Sequence, residues 1–414
     1  MRNGNARNTL RVTLQSFWFL VACSTAQAQG EVFFGDGFES LLVYSGVADT
    51  SDGAVSLAIG SDDLPVVAYG QADGLWVYKC SDANCEAGTV THLDTTTGGG
   101  GGPATHVVVE IGNDTFPVIA LRNESSETLM VVKCADASCA GGGELGSLIA
   151  GVASPRAVSM KVPADGNPVI AFNDVSGTPQ TLVVVKCDDP ACSGEGESVN
   201  TIQDPGAVSN GGGVAFPFTN WGYGASIALT AGGLPMVSYH TFEVWYRLVM
   251  CNDAACAGDD ESYNGYRTVL SGYATGGGTS LVLRADNFPM FSAYRQRSGF
   301  EDSQLLFITC NPCDISTGIF SGQAGLNSNI STVPGGFPVV AFTEGLDDSV
   351  YVAKCIDNSC SIQDRYRLGP EIPGPRAFSP DIEVPSDNFP IMVYRVEGQA
   401  FEIVKCRTTT CTSS

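Results

Sequence analysis

The chain has 414 residues and a formal net charge of −23, from 44 acidic and 21 basic residues. An excess of carboxylates on this scale repels nucleic acids and anionic membrane surfaces, so a role in DNA or RNA binding is excluded. The length would allow two or three ordinary domains, but a continuous internal repeat favours one large unit.

Residues 1–28 predict an export signal. The apolar segment at residues 12–22 is too short to span a bilayer, and residues 26–28, Ala-Gln-Ala, offer a small-residue cleavage site before Gln29. The basic region that opens the signal contains Arg2, Arg7 and Arg11. Cleavage would remove these three arginines and no acids, which takes the net charge from −23 to −26.

Lipidation is a second interpretation of the same segment. Residues 20–23, Leu-Val-Ala-Cys, resemble the lipobox of bacterial lipoproteins, in which the cysteine, here Cys23, becomes the lipidated N-terminus. No later segment has the roughly 18 apolar residues that a membrane-spanning helix needs. We therefore expect a secreted or periplasmic protein, with an outer-membrane lipoprotein as the alternative.

The remainder of the sequence repeats seven times. Each copy has a short apolar strand, a turn rich in Asp, Asn and Gly, a proline, and two more apolar strands that lead into a cysteine pair. The clearest copies read SLAIGSDDLPVVAY…LWVYKCSDANC from Ser56, SMKVPADGNPVIAF…LVVVKCDDPAC from Ser159 and DIEVPSDNFPIMVY…FEIVKCRTTTC from Asp381. One such unit cannot bury its apolar face alone and must stack on its neighbours.

Each copy predicts four strands. Strand one starts at a small polar residue in every copy except that of Val108, and the proline can occupy the first position of strand two without loss of a ladder bond. Strands two and three are almost continuously apolar, which is typical of strands buried on both faces. A more polar fourth strand follows. Five of the six lysines directly precede the first cysteine of a copy, where we expect a solvent-facing position: Lys79, Lys133, Lys186, Lys354 and Lys405.

Apart from Cys23, the cysteines form seven closely spaced pairs. They are Cys80/Cys85, Cys134/Cys139, Cys187/Cys192, Cys251/Cys256, Cys310/Cys313, Cys355/Cys360 and Cys406/Cys411. Repeated pairs in an exported chain are more often disulfides than metal ligands. Zinc would need further ligands from only three histidines, His92, His106 and His240. We predict one disulfide per copy and no bound metal. The Asp-rich turns leave calcium as an alternative that tight-turn chemistry makes unnecessary.

Four strands per copy without helical periodicity predict a seven-bladed β-propeller. The last copy ends at residue 414 with no room for a fourth strand, whereas an extra strand at residues 39–46 precedes the first copy. We expect this N-terminal strand to complete the last blade and close the ring, which leaves no open sheet edge. The predicted organisation is a signal at 1–28, a short leader at 29–38 and one propeller domain at 39–414.

The copies resemble those of exported bacterial proteins with recurrent D-G-L-P-φ-φ-x-Y…K-C-x4-C units. The segment Phe33–Glu39, FFGDGFE, is similar to a short leader found just after the signals of those proteins. The resemblance covers nearly the whole mature chain. It implies a propeller-type repeat fold and an exported location, and it lends no activity.

Ligand sites of propellers commonly lie on the face where strand four leads into the next strand one. The longest loop on this face, residues 204–225, carries Phe216, Phe218, Trp221 and Tyr223, and long aromatic loops on a rigid scaffold often carry function. The positions just after strand two share this face. Unlike the scaffold positions, they differ between copies: Gly70, Arg122, Asn173, His240, Tyr294, Thr343 and Arg395.

The candidate ligand-binding residues combine aromatic and polar side chains. Stacking surfaces would come from Trp221, Tyr223 and Trp245, and polar contacts from Arg122, His240, Tyr294 and Arg295. Of the three histidines, only His240 is expected on this face. Aromatic platforms flanked by Arg and His suit sugar rings or a protein partner.

Three functions remain open. The leading hypothesis is a monomeric, non-enzymatic recognition module that binds a glycan or an extracellular or envelope protein at blades three to five. A carbohydrate-active hydrolase or lyase is the second, in which His240, Glu243, Tyr294 and Arg295 could act, although no common catalytic motif is present. A surface scaffold without a small-ligand site is the third, since propellers host all three. No cofactor is expected.

Overall fold

The protein is a seven-bladed β-propeller. It is described by a computed structural model, which covers residues 38–44, 55–93, 103–142, 144–176, 181–202, 224–241, 245–258, 260–267, 273–275, 278–297, 304–310, 313–320, 324–333, 337–344, 349–357, 360, 365–368, 377–396 and 401–407. Within these residues the secondary structure consists of 29 strands in seven antiparallel sheets, without a helix.

The strands follow the predicted repeat. Blade one contains β2 (Val55–Ile59), β3 (Pro65–Gln71), β4 (Gly74–Cys80) and β5 (Gly88–Leu93). Blade two contains β6 (Ala104–Ile111), β7 (Pro117–Asn123), β8 (Thr128–Lys133) and β9 (Leu145–Leu148). Blade three contains β10 (Pro155–Lys161), β11 (Val169–Asp174), β12 (Thr181–Lys186) and β13 (Ser198–Ile202). Blade four contains β14 (Ser226–Leu229), β15 (Pro235–Thr241), β16 (Trp245–Met250) and β17 (Ser262–Arg267).

The remaining blades include two variations. Blade five has five strands, because β18 (Tyr273–Thr275) and β19 (Ser280–Leu283) both pair with β20 (Pro289–Arg297), followed by β21 (Gln304–Cys310) and β22 (Cys313–Phe320). Blade six contains β23 (Ala324–Thr332), β24 (Pro338–Glu344), β25 (Ser349–Lys354) and β26 (Arg365–Arg367). Blade seven contains β27 (Ala377–Glu383), β28 (Ile391–Val396), β29 (Phe401–Cys406) and the N-terminal β1 (Phe38–Tyr44).

The N-terminal strand closes the ring, as predicted. It runs antiparallel to β29, with Leu41 opposite Val404 and Tyr44 opposite Phe401. The observed strand begins one residue before the predicted start at residue 39 and ends two residues before the predicted end at residue 46. Since β29 is bonded on both sides, its backbone presents no free edge to another chain.

The hydrophobic core lies between the blades. Seven buried apolar clusters occur among the described residues, and each joins two neighbouring blades. The cluster between blades one and two, for example, contains Val77 of β4 together with Ile119 and Leu121 of β7. Both faces of the middle strands are therefore covered, which explains their continuous apolar sequences.

Five of the predicted disulfides are present, with Cα–Cα distances of 4.3 to 5.0 Å. They join Cys80 to Cys85, Cys134 to Cys139, Cys187 to Cys192, Cys251 to Cys256, and Cys355 to Cys360. Cys310 and Cys406 are disulfide-bonded as well, while the side chains of Cys313 and Cys411 lie outside the described part. An Asp near the start of the loop supports the bridge: Asp82 accepts the backbone N–H groups of Asn84, Glu86 and Ala87.

Three of the lysines that precede the cysteines, Lys79, Lys133 and Lys405, are buried, so the prediction of a solvent-facing position was wrong for them. Lys186 and Lys354 are half-buried. The side chains of Lys79 and Lys405 are 9% and 6% exposed and bind the turn carboxylates of Asp62 and Asp387 at 2.7 and 2.6 Å. The same pairing joins Lys133 to Asp114 and Lys186 to Asp165. The lysine thus ties strand three to the turn between strands one and two.

Two observations bear on the location of the protein. Several disulfides are consistent with an oxidising, extracytoplasmic compartment. A search of the described residues finds no helix long and apolar enough to cross a membrane. The predicted signal at residues 1–28 and the possible lipidation site at Cys23 lie outside these residues.

Candidate binding site at one mouth of the central channel

The first strands of the blades line a central channel. It holds a cavity of about 370 Å³, whose walls come from β2, β6, β10, β14, β19, β23 and β27. Strands one and two are antiparallel, so the start of strand one and the end of strand two lie at the same end of the channel: Thr105 lies opposite Arg122, and Arg156 lies opposite Asn173. The positions predicted just after strand two lie within it, because the observed strands two extend further than predicted. These positions surround this end of the channel, which we call the upper mouth.

Most of these positions are buried, and packing explains some of their variation. A Cβ atom on Gly70 would lie 1.8 Å from the carbonyl oxygen of Ala104, so blade one has no room for a side chain there. In blade six, the Thr343 hydroxyl accepts the backbone N–H of Asn327 at 3.2 Å. Arg395 is half-buried.

His240 and Tyr294 lie in an aromatic contact between blades four and five. The His240 ring packs against Tyr246 at a centroid distance of 5.0 Å, and the Tyr246 hydroxyl donates to the carbonyl of Tyr294. Each of the two predicted residues is 3% exposed, and burial lowers the pKa of His240 to about 4. Their contact with a ligand stays a prediction.

The other residues predicted for blades three to five are described in part or not at all. Trp221, Tyr223 and Glu243 lie outside the described residues. The backbone of Trp245 pairs with that of Thr241, and the backbone of Arg295 pairs with that of Gln304. The structure therefore leaves the predicted aromatic platform as a prediction.

Polar groups gather at the upper mouth where blades two and three meet. We call this set the blade 2–3 cluster; its members are Thr105, His106, Arg122, Glu124 and Arg156. Glu124 accepts the Thr105 hydroxyl and lies 3.2 Å from the Arg122 guanidinium. Arg122 is 5% exposed, whereas His106, Glu124 and Arg156 are half-buried. The cluster thus extends from the protein interior towards solvent.

The His106 imidazole is neutral. Burial, together with the guanidinium groups of Arg122 and Arg156, lowers its pKa to about 4. Its Nδ1 atom accepts the backbone N–H of Ala157 from the next blade at 3.3 Å, which puts the ring proton on Nε2. With a neutral histidine, two guanidinium groups and one carboxylate leave the cluster one positive charge in a strongly acidic protein.

Asn173 lies on the face of β11 that packs against blade four, together with Val169 and Ala171, and has an unsatisfied amide. Neither its Nδ2 nor its Oδ1 atom has a hydrogen-bond partner among the described residues, and the Arg122 Nε–H also lacks an acceptor there. Burying a polar group without a partner costs about 1–3 kcal/mol. Such a cost in a folded protein requires an explanation, such as a ligand or an ordered water.

Backbone irregularities shape the cluster. The pairing of β6 with β7 shifts between Thr105 and Val108, and that of β10 with β11 shifts between Arg156 and Ser159. The extra residues, His106 and Ala157, have φ angles of 50° and 54°, which non-glycine residues seldom adopt. Each bulge redirects the start of strand one, and the first brings the imidazole to the neighbouring blade.

The small polar residues that the sequence analysis placed at the start of strand one bind the next blade around the channel. Their side-chain oxygens accept the N–H that follows the equivalent position of the neighbour at 2.8 to 3.2 Å. The pairs are Ser56 with Val109, Ser159 with Ile227, Ser226 with Leu281, Ser280 with Ile330, and Asp381 with Leu57. Blade two departs from this pattern because the side chain of Val108 has no oxygen, and after blade six the N–H of Ile382 donates to Asp381 of its own blade.

Charged groups lie deeper in the channel. Lys161 pairs with Glu110 of the preceding blade, and Ser331 donates to Glu383 at 3.2 Å. Burial raises the pKa of Asp381 to about 6, and burial outweighs the attraction of Lys161 to raise that of Glu383 to about 7. The nearby carboxylates outweigh burial and raise the pKa of Lys161.

Within the described residues, no group of three or more His, Cys, Asp or Glu side chains is placed to hold a metal ion.

Sequence reasoning found Arg122 and Asn173 as ring positions but missed their surroundings. The expectation that His240 alone among the histidines belongs to this face was wrong, because His106 lies at the start of strand one. Arg156 and Glu124 were missed as well. The sequence prediction started strand one of blade two at Val108. The strand in fact begins at Ala104 and contains one extra residue between Thr105 and Val108.

Comparisons with known proteins show the fold alone. No protein-family model and no curated protein matches the sequence. A polysaccharide lyase, an ulvan lyase bound to -[GlcA(1-4)Rha3S]-, is 10% identical with a TM-score of 0.54, over 94% of this chain and 98% of its own. The β-propeller domain of Myceliophteria thermophila Cps50 (Swd1) is 10% identical with a TM-score of 0.51, over 88% and 100%. A protein of unknown function from Dyadobacter fermentans is 11% identical with a TM-score of 0.50, over 89% and 99%.

Proposed function

We propose that this protein is an exported, non-enzymatic recognition module that binds a glycan at the upper mouth. The observation that carries the proposal is the set of polar groups at the upper mouth, where the buried Arg122 and Asn173 have atoms without hydrogen-bond partners among the described residues and half-buried polar groups lie at the same end of the channel. Protein interiors satisfy almost all their polar groups, so a set of this kind suits a ligand with many hydroxyl groups.

The aromatic loop at residues 204–225 fits the same proposal. It joins blade three to blade four on the face of the upper mouth, next to the blade that contributes Arg156 and Asn173. Trp221 and Tyr223 would stack on sugar rings while the polar groups bind hydroxyls, an arrangement that favours flat, amphipathic ligands. Among proteins of this fold, the ulvan lyase is bound to a saccharide, which makes glycans a reasonable class to test first.

The test is a glycan-array screen of the oxidised protein starting at Gln29, with the wild type beside Trp221→Ala and Asn173→Ala. We expect saturable binding that both substitutions weaken, because one removes a stacking surface and the other a buried amide. A matched control is Thr230→Ala, which removes a turn hydroxyl at the far end of strand one.

The alternatives give other results. Turnover of the bound glycan, lost on substitution of His240 or Glu243, would replace the proposal with the hydrolase or lyase hypothesis. If the protein binds no glycan on a broad array and instead captures a defined envelope protein, the scaffold hypothesis would replace the proposal.

A further inference from the structure

The charged groups deeper in the channel carry an inference that goes beyond the proposed function and does not depend on it. We propose that the central channel binds a small aliphatic amine, whose ammonium group lies against the carboxylates of Glu110 and Glu383. Both residues line the channel cavity, together with Lys161 and Asp381. The cavity measures about 370 Å³, and ligand pockets in proteins occupy about 300–1,000 Å³. The channel therefore has room for a small organic molecule.

The first argument is the direction of the side chains. Glu110, Lys161, Ser331 and Glu383 occupy one level of the channel, each two residues after the position that faces the next blade in its own strand one. Alternate residues of a strand lie on the same side. As this orientation requires, Glu110 contacts Lys161 of the next blade, and Ser331 donates to Glu383 of the next blade at 3.2 Å. The four side chains line one cavity between the blades.

The second argument is the excess of negative charge. Three carboxyl groups, those of Glu110, Asp381 and Glu383, share the cavity with one ammonium group, that of Lys161. Lys161 is paired with Glu110, and Asp381 accepts two backbone N–H groups at 2.8 and 2.9 Å. Glu383 accepts a neutral hydroxyl, that of Ser331. Because a half-buried carboxylate is stabilised by a nearby positive charge, a bound cation would balance the excess.

The proton affinity of the cavity agrees with a site for a cation. Burial raises the pKa of Glu383 to about 7, and the carboxylates of Asp381 and Glu110 act in the same direction against the attraction of Lys161. Burial also raises the pKa of Asp381 to about 6. Near pH 7, about half of the Glu383 carboxyl groups therefore hold a proton. An ammonium group bound beside Glu383 would take the place of this proton.

The third argument concerns the rest of the ligand. At the level of Glu110 and Glu383, the cavity wall in blades four and five consists of Ala228 and Val282. These small apolar side chains can contact methylene groups, and burial of methylene groups is favourable by about 0.8 kcal/mol each. A hydrated metal ion would gain nothing from such a wall. The cavity thus combines carboxylates on one side with apolar surface on the other, which suits an aliphatic amine.

The experiment titrates the oxidised protein starting at Gln29 with 1,4-diaminobutane and with 1,4-butanediol, a neutral probe of similar length, by isothermal titration calorimetry. A diamine is chosen because three carboxylates and one ammonium group leave two negative charges in the cavity. At pH 8 we expect saturable binding of the diamine, at least about tenfold tighter than that of the diol.

The same titration has a pH dependence of defined sign. Aliphatic amines stay protonated throughout, since their pKa is about 10. At pH 5.5 the diamine should bind about tenfold or more weakly than at pH 8, because Glu383 and Asp381 then hold protons. Titrations near pH 7 in two buffers of different ionisation enthalpy should show that binding releases protons.

Two substitutions connect the binding to the channel. Glu383→Gln keeps the shape of the side chain and the acceptor for Ser331 but removes the charge, and Glu110→Gln frees Lys161 to pair with Glu383. Each should lower the affinity for the diamine by about tenfold or more. The matched control is Glu86→Gln, which removes the same charge from an exposed loop and should leave the affinity unchanged. This control separates a channel site from the general attraction of amines to an acidic protein. Thermal unfolding checks that each variant is folded.

The proposal is overturned if the diamine does not bind, if the diol binds as tightly, or if Glu383→Gln binds the diamine as the wild type does. It is also overturned if Glu86→Gln weakens binding as much as Glu383→Gln. The glycan array separates this result from the proposed function. Amine binding with a silent array would keep the channel site and remove glycan recognition, and glycan binding without a response to the diamine would do the reverse.

Discussion

At the scale of single residues, two carboxyl groups on one strand line the same channel with different partners. Asp381 accepts the backbone N–H groups of Leu57 and Ile382 and the Ser56 hydroxyl. Within the described part of the chain, Glu383 accepts the Ser331 hydroxyl and lies near Lys161. The channel thus binds protons more tightly than the unfolded chain would.

This difference predicts a pH-dependent stability. Burial raises the pKa of Glu383 from 4.5 to about 7 in the folded state, so the folded protein holds a proton that the unfolded chain releases. The free energy of unfolding should therefore fall between about pH 4.5 and pH 7, by about 3 kcal/mol from this group. Glu383→Gln removes the titration while it keeps the acceptor for Ser331. Urea unfolding at pH 5 and pH 8 should show that the variant gains on the wild type as pH rises.

The control for this measurement is Glu86→Gln, which neutralises an exposed loop residue and should follow the wild-type curve apart from a constant offset. Asp381 acts in the same direction from pH 3.8 to about 6, so part of the decline should remain in Glu383→Gln. Parallel curves for Glu383→Gln and the wild type would show that Glu383 does not titrate in this range.

At the scale of elements, the repeat unit can contain an ion pair between the lysine before the first cysteine and an aspartate in the turn before strand two. Where strand three has a lysine before the cysteine, the preceding turn has an Asp in blades one, two, three and seven. Blade four has Met250 in place of the lysine, and its turn at residues 230–233, Thr-Ala-Gly-Gly, has no acid. Blade five has Asp286 in the turn but Thr309 before the cysteine, and blade six has Lys354 but Gly335 in the turn. The ion pair is therefore a feature of four blades, where the buried lysine needs its partner.

The pair predicts a non-additive pattern of stability. Asp62→Asn should destabilise blade one by about 1–2 kcal/mol, because the nearly buried Lys79 ammonium loses its carboxylate and keeps only the Leu64 carbonyl. Adding Lys79→Met, the residue that blade four uses, should recover most of this loss. Chemical unfolding of the two single variants and the double variant measures the coupling. Equal and additive losses would show that the pair contributes nothing to stability.

The elements also show how far the sequence predicts the structure. The turn-proline-cysteine spacing located every blade, because hairpin turns and disulfides impose local geometry that residue types report directly. The burial of Lys79 was missed, since a strand lysine looks solvent-exposed until the fold brings the turn of Asp62 over it. Of the blade 2–3 cluster, only Arg122 was predicted, as a separate ring position. Its assembly depends on two bulges and on the contact between blades, which no single copy of the repeat contains.

At the scale of the whole molecule, the ring depends on one short strand from the far end of the sequence. Strand β1 is the only fourth strand of the described sheets that comes from a segment distant in sequence, and it covers the edge of β29. The other blades take their fourth strands from the chain that follows strand three, so their edges close locally. Closure of the last blade is accordingly the most non-local pairing of the fold, and such pairings form late.

Removal of β1 should therefore destabilise the ring and make it self-associate. A protein starting at residue 45 lacks the strand, and the matched control starting at Gln29 keeps it. Loss of the backbone bonds along six paired residues should lower the free energy of unfolding by about 3 kcal/mol or more. The edge of β29, a strand that contains Phe401 and Ile403, would then be exposed. It should pair with other copies of the protein, and sedimentation experiments should show dimers or larger species. A synthetic peptide of residues 38–46 should restore the monomer, because it supplies the missing partner of the edge. If the shortened protein stays monomeric and unfolds at the same denaturant concentration as the control, β1 contributes neither to the stability of the ring nor to the protection of its edge.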